Sequence, residues 1–188
     1  MQENKTIRSF IALEVPKDLQ IACGQIQSEL KPNLPRVKWV KPENIHLTLK
    51  FLGQINTEDT SRFIEIIKNA FVNFTAFSLQ IRKLGFFSSK GKPRIIFLTV
   101  RQEKIIKDMH DKLKKVLTFD CPAKPTPFRP HITLARIKDG VPPDINLSSI
   151  NKVNIPDKNF LANQICFFES KLTPKGPQYK KLFSLTLN

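Results

Sequence analysis

The chain has 188 residues, 40% of them apolar, enough for a packed core and too many for a disordered segment. Lys and Arg number 31 against 16 Asp and Glu, a formal charge of +15 spread along the chain. That excess points to a polyanionic partner, nucleic acid first, although a lysine-rich solvated surface with no target has the same signature. Cys23, Cys121 and Cys166 are odd in number and show no CxxC spacing, which argues against a disulfide framework or a cysteine zinc site and fits a reducing cytosol. No stretch approaches the roughly 18 apolar residues of a membrane span, and the N-terminus lacks an apolar signal core.

In chain order, Thr6 to Val15 is β-prone and ends at Pro16. Pro16 to Leu30 reads as a helix with an apolar stripe of Leu19, Ala22, Cys23, Ile26 and Leu30. Val37 to Val40 is a short strand, and Ile45 to Leu52 a longer one ended by Gly53. A second helix is expected from Thr57 to about Phe74, with Thr57, Glu58 and Asp59 as cap and first turn. Phe77 to Leu84 and Arg94 to Val100 read as strands. The segment between them, Gly85 to Pro93, reads as a mobile basic loop that either touches RNA backbone or is a solvated turn. Glu103 to Leu117 is a third helix, with Ile105, Ile106, Met109, Leu113, Val116 and Leu117 as its stripe. Four prolines make 118–130 irregular, and a strand then runs to about Ile137. The region from Lys138 to Asn159 is loop-rich, with a short helix near Ile145 to Asn151. Phe160 to Lys171 and Tyr179 to Leu187 close the chain as two strands. The fold class is α+β, with roughly nine strands and three or four helices. Fifteen of the seventeen aromatics are Phe, so the lone Trp39 and Tyr179 stand out.

The tetrad His46-Leu-Thr-Leu49 recurs as His131-Ile-Thr-Leu134, and the two copies hold two of the three histidines. Alternation on a strand puts His and Thr on one face and the apolar pair on the other. Two such strands across a cleft offer one imidazole to remove a proton and another to deliver one, and their Thr hydroxyls can bond phosphate oxygens as charge builds. A bell-shaped rate profile with a maximum near neutrality follows from ordinary imidazole pKa values of about 6.5. The tetrads bring no carboxylate at neighbouring strand positions and Thr is a poor zinc ligand, so no metal or other cofactor is expected. The remaining histidine, His110, sits between Asp108 and Asp111 and reads as a surface residue.

The stretch Trp39-Val-Lys-Pro-Glu-Asn-Ile-His-Leu-Thr-Leu-Lys-Phe-Leu-Gly53 resembles the first motif of the 2H phosphoesterase superfamily, in particular of the RNA 2′,3′-cyclic phosphodiesterases once described as 2′-5′ RNA ligases. Arg129-Pro-His-Ile-Thr-Leu-Ala-Arg136 resembles the second motif, Arg8-Ser-Phe-Ile-Ala-Leu13 the opening strand, and Ser170-Lys-Leu-Thr-Pro-Lys-Gly-Pro-Gln-Tyr179 the closing hairpin. The resemblance spans nearly the whole chain. It implies a single bilobed domain over 1–188, two antiparallel sheet lobes with flanking helices around a central groove, related by a pseudo-twofold axis. It further implies metal-independent hydrolysis of terminal RNA 2′,3′-cyclic phosphate to 2′-phosphate, with 2′-5′ ligation as a side activity. By position, His46 is then the proton donor to the leaving 3′ oxygen and His131 the acceptor that activates water. Thr48 and Thr133 hold the phosphate. Arg136 and Phe10 contact substrate, Phe10 by stacking on a terminal base, although strict alternation sets Arg136 opposite Thr133. The implied partner is RNA with a cyclic phosphate end, tRNA fragments included, and the implied state is a cytoplasmic monomer without membrane contact. The family often carries a bulky residue and a Gly where this chain has Ile95-Ile-Phe-Leu-Thr-Val100, which leaves base preference open. A non-enzymatic RNA-binding module with relic tetrads is the alternative from another class.

Overall fold

In a computed structural model of the chain, the structure describes residues 5–34, 37–117, 127–137, 153–174 and 176–188. Among the described residues, all strand pairings are antiparallel and fall into two sheets. The first comprises β1 (Thr6–Glu14), β3 (His46–Asn56), β8 (Gln164–Thr173) and β9 (Gly176–Thr186), in the order β3-β1-β8-β9. The second comprises β2 (Val37–Trp39), β4 (Phe77–Ser89), β5 (Lys92–Val100), β6 (His131–Ile137) and β7 (Asn159–Ala162), in the order β2-β6-β5-β4-β7. The tetrads therefore lie one in each sheet, on β3 and β6. The sheets are not the two halves of the chain, because the first draws β1 and β3 from the N-terminal part and β8 and β9 from the C-terminus. The single closing strand expected from Phe160 to Lys171 is two strands, split at Asn163, where the chain leaves one sheet for the other.

Among the described residues, three α-helices complete the core: α1 (Lys17–Leu30), α2 (Thr60–Phe71) and α3 (Glu103–Val116). Their inward stripes follow helical spacing, with Leu19, Ala22, Cys23, Ile26 and Leu30 on α1, Phe63, Ile67, Ala70 and Phe71 on α2, and Ile106, Met109 and Leu113 on α3. Ile105 and Val116, expected in the α3 stripe, are exposed at its margin. The second helix starts at Thr60 after a 3₁₀ turn over Thr57–Asp59. Thr57 does not cap it, because its hydroxyl donates to the Lys5 carbonyl at 2.9 Å. The buried faces of sheets and helices join in one continuous cluster.

The segment expected to be a loop, Gly85 to Pro93, is a hairpin. β4 and β5 stay paired to Ser89 and Lys92, and Lys90 and Gly91 turn the chain with φ of 51° and 74°. Two successive positive φ values define the two-residue turn whose twist matches that of the flanking strands. The strand β3 likewise runs on through Gly53 (φ 77°) to Asn56. The short helix expected near Ile145 to Asn151 lies outside the described residues. Among the described residues, no helix is long and apolar enough to cross a membrane.

Candidate active site

A turn over Pro42–Asn44 delivers the chain into β3, so that the Asn44 carbonyl faces back on His46. His46 Nδ1 bonds that carbonyl at 2.7 Å. The second tetrad repeats the arrangement, with His131 Nδ1 bonding the Arg129 carbonyl at 2.7 Å. A carbonyl only accepts, so in both rings Nδ1 carries the proton and Nε2 is left for other chemistry. His46 Nε2 lies 3.0 Å from Thr48 Oγ1; with the ring neutral, the hydroxyl donates to it.

Each tetrad strand contains a bulge at its last residue. Thr48 pairs with Ala12 and Lys50 with Ile11, leaving Leu49 extra on β3. Thr133 pairs with Phe97 and Ala135 with Ile96, leaving Leu134 extra on β6. An extra residue resets side-chain parity. On β6, Ile132, Leu134, Ala135 and Ile137 are all buried, while His131, Thr133 and Arg136 stay on the open side. The bulge thus corrects the strict alternation that set Arg136 opposite Thr133. The equivalent fifth residue after the first histidine is Phe51, which is 52% exposed.

Both bulge carbonyls are held by a helix side chain. His110 Nδ1 bonds the Leu49 carbonyl at 2.6 Å, and the His110 ring stacks on Phe128 with centroids 4.0 Å apart and planes at 3°. Gln27 Nε2 donates to the Leu134 carbonyl at 3.0 Å and to the Val40 carbonyl at 2.8 Å. His110 is therefore not the surface residue that its acidic neighbours imply. The two anchors are symmetric in role, and nothing in the sequence near either tetrad points to them.

Aromatic rings wall both histidines. Phe10 lies between His46 (4.8 Å), Phe168 (5.1 Å) and the edge of Tyr179 (4.9 Å), and Tyr179 also meets the His46 ring edge-on at 5.3 Å. Phe10 is 3% exposed, so it backs the His46 ring and offers no open face to a base. Around His131, Phe87 and Phe97 stack at 4.2 Å and meet the imidazole at 4.8 and 5.3 Å. Gly85 makes that packing possible, since a Cβ there would sit 2.7 Å from Phe97 Cζ. Of the two single aromatics, Tyr179 lines the site, and Trp39 pairs with Ala135 at the edge of the second sheet.

Burial pushes His46 down to about 4; the Asn44 carbonyl opposes the shift, and the charges of His131 and Arg136 add to it. His131 is lowered chiefly by burial, again opposed by its backbone carbonyl and assisted by Arg136. Burial raises the Tyr179 hydroxyl, with the Arg136 and Arg8 charges pulling the other way. Each effect needs the named groups close together, so the two imidazoles, Tyr179 and Arg136 share one site. Among the described residues, no three His, Cys, Asp or Glu side chains gather as a metal cluster. Chemically, two such imidazoles can take one proton and give another, and hydroxyl and guanidinium groups can bond an anion.

The LigT-like phosphoesterase family model matches residues 13–97 and 100–179, and the chain belongs to that family. An RNA 2′,3′-cyclic phosphodiesterase of Archaeoglobus fulgidus is 32% identical over 184 residues, covering 94% of this chain and 98% of its own. Its Thermotoga maritima counterpart is 29% identical over 177 residues, 94% of each chain. Among solved structures, a Thermus thermophilus protein superposes with a TM-score of 0.81 at 26% identity, covering 96% of this chain and 98% of its own. Escherichia coli LigT complexed with 3′-AMP has the same fold, with a TM-score of 0.73 at 20% identity over 97% and 99% of the chains.

Proposed function

We propose that this protein is a hydrolase that opens the terminal 2′,3′-cyclic phosphate of RNA to a 2′-phosphate. The observation that carries the reading is the pair of Nδ1-anchored imidazoles, one per sheet, each with Nε2 left for proton transfer. The full-length relatives that bear the name RNA 2′,3′-cyclic phosphodiesterase support it. In the proposed reaction, a water oxygen attacks phosphorus and passes a proton to His131. The bond from phosphorus to the 3′ oxygen breaks as His46 protonates that oxygen. The products are a 3′ hydroxyl and a 2′-phosphate, and proton exchange with solvent resets the pair. Thr48, Thr133 and Arg136 bind the non-bridging oxygens as charge builds. No step calls for a metal or other cofactor.

In the resting protein, burial holds His46 neutral well below the ordinary imidazole range. A donor His46 therefore takes up its proton with the phosphate, whose negative charge favours the imidazolium. An RNA 5′ hydroxyl in place of water gives 2′-5′ ligation, a side reaction at low RNA concentration. RNA, tRNA fragments included, is the partner, and the working form is a cytoplasmic monomer.

The test is incubation of a cyclic-phosphate-ended oligonucleotide with the protein and EDTA. The expected product is the 2′-phosphate, formed at the same rate without chelator. Activity abolished by EDTA and restored by zinc or manganese would defeat the proposal. Binding without turnover by wild type would favour the relic RNA-binding module.

A further inference from the structure

The edge strand β2 sets a second cation beside Arg136. Val37 and Trp39 pack on the buried cluster, so alternation puts Lys38, between them, on the opposite side of the sheet. Lys38 pairs directly with Arg136, and residues directly opposite on an antiparallel pair share a face. The bulge at Leu134 has already brought Arg136 to the side of His131 and Thr133, so Lys38 stands on that side too. Its backbone lies about 4.8 Å outward from that of Arg136, one strand spacing. The side chain then leans across to the first sheet. Its Cε and Nζ both lie 3.6 Å from where a Cβ would stand on Gly176, at the start of β9. That end of β9 is itself tied to the site. Asn44 Nδ2 donates to the Pro177 carbonyl at 2.9 Å, while the Asn44 carbonyl anchors His46. The Lys38 ammonium is therefore held where the two sheets meet, next to Arg136.

Two like charges directly opposite on a strand pair cost stability. Both side chains are exposed, and among the described residues neither forms an ion pair. The carboxylate of the neighbouring turn, Glu43, lies 3.9 Å from Lys41 instead. An anion between Lys38 and Arg136 would offset that cost. The reacting phosphate already has the two His-Thr pairs and Arg136. In a nucleotide with a 2′,3′-cyclic end both secondary oxygens are taken, so the chain continues only through the 5′ oxygen, and the next anion is the phosphate there. We infer that Lys38, beside Arg136, binds the phosphate on the 5′ side of the cyclic nucleotide. The inference rests on the RNA-end reading above and adds to it a second phosphate subsite, which favours ends with a 5′ phosphate over bare nucleoside cyclic phosphates. A lysine serves such a site as a compact point charge, leaving the guanidinium fork to the reacting group.

The experiment compares a nucleoside 2′,3′-cyclic phosphate bearing a 5′ hydroxyl with the same compound bearing a 5′ phosphate. Wild type is expected to favour the 5′-phosphorylated compound by about 10- to 100-fold in kcat/KM, mostly through KM, the usual worth of a hydrogen bond to a charged group. The preference should shrink as salt rises. Lys38→Met keeps a stem over Gly176 and removes the charge, so most of the preference should disappear; Lys38→Arg should keep it. Lys38→Met should also melt no lower than wild type at low salt, because the opposed like charge is gone. Equal efficiency of wild type on the two compounds overturns the inference, as does a preference that survives in Lys38→Met. An equal loss on both compounds in that variant, with a lower melting temperature, makes Lys38 structural and overturns it as well. Equilibrium binding of a nucleoside 2′,5′-bisphosphate against the 2′-monophosphate separates the subsite from the chemistry. If neither cyclic compound is opened, yet the bisphosphate binds tighter and Lys38→Met removes the difference, the RNA-end reading fails and the subsite stands. If both compounds are opened with equal efficiency and the bisphosphate binds no tighter, the subsite fails and the reading stands.

Discussion

An imidazole fixed through Nδ1 to a carbonyl has one nitrogen to work with, and this molecule fixes two in that way. Replacing His46 or His131 by Ala is expected to cost on the order of 10²–10⁴ in rate, and replacing both far less than the product, because the two act in one proton-transfer step. Thr48→Ala and Thr133→Ala should cost less, each removing one hydrogen bond to developing charge; steady-state kinetics on a cyclic-ended oligonucleotide checks all four. The pH profile carries a second prediction. The proposed reaction needs one protonated imidazole, and burial lowers both. In the free protein that proton is lost as pH rises through the depressed values, so the alkaline limb of kcat/KM should fall below about 6.5. This moves the expected maximum to the acid side of neutrality. Bound phosphate raises both histidines, so the limb of kcat should lie at higher pH than that of kcat/KM; coincident limbs at or above 6.5 would refute burial as the control. The tetrads were legible because His and Thr alternate on a strand. The enclosure of Phe10 was not, since Phe168 and Tyr179 come to it from the far end of the chain.

At the scale of the element, the bulges decide what the groove contains. Period-2 reading places Arg136 on the wrong side, and only the extra residue at Leu134 brings it round. A bulge has no marker in this sequence, because Leu49 and Leu134 are ordinary strand residues. The same local reading took Gly85 to Pro93 for a loop where paired strands meet in a tight turn. Each bulge exposes a carbonyl to the core, and His110 and Gln27 satisfy one each. His110→Ala and Gln27→Leu should therefore lower kcat by about 10- to 100-fold with a smaller change in KM, the effect of a displaced catalytic group. His110→Asn, which keeps an N–H donor near the position of Nδ1, should recover part of the loss. Variants that melt at lower temperature but turn over normally well below that temperature would show the anchors to be structural only.

Over the whole molecule, the connections cross. Helix α1 follows a strand of the first sheet and bonds the tetrad strand of the second, while α3 follows a strand of the second and bonds the tetrad strand of the first. Both sheets share one buried cluster. The chain should therefore unfold in urea as one unit over 1–188, with far-UV circular dichroism and fluorescence transitions coincident; separated transitions would mean independent lobes. The α+β class and the pair of tetrads were legible in the sequence. The interleaving was not, because the pairing of β1 with β8 joins distant segments and leaves no local trace. Two imidazoles held alike through Nδ1, one in each sheet, raise a question of polarity, since a phosphate turned end for end meets two histidines with donor and acceptor exchanged. The fifth residue after each histidine removes that degeneracy, being Phe51 on one side and Arg136 on the other. On the proposed reaction, these flanking residues are expected to set its direction. In Phe51→Arg/Arg136→Phe the cleft should face the other way. An activated substrate, whose leaving group needs no proton, should rescue His46→Ala in the native background and His131→Ala in the swapped one.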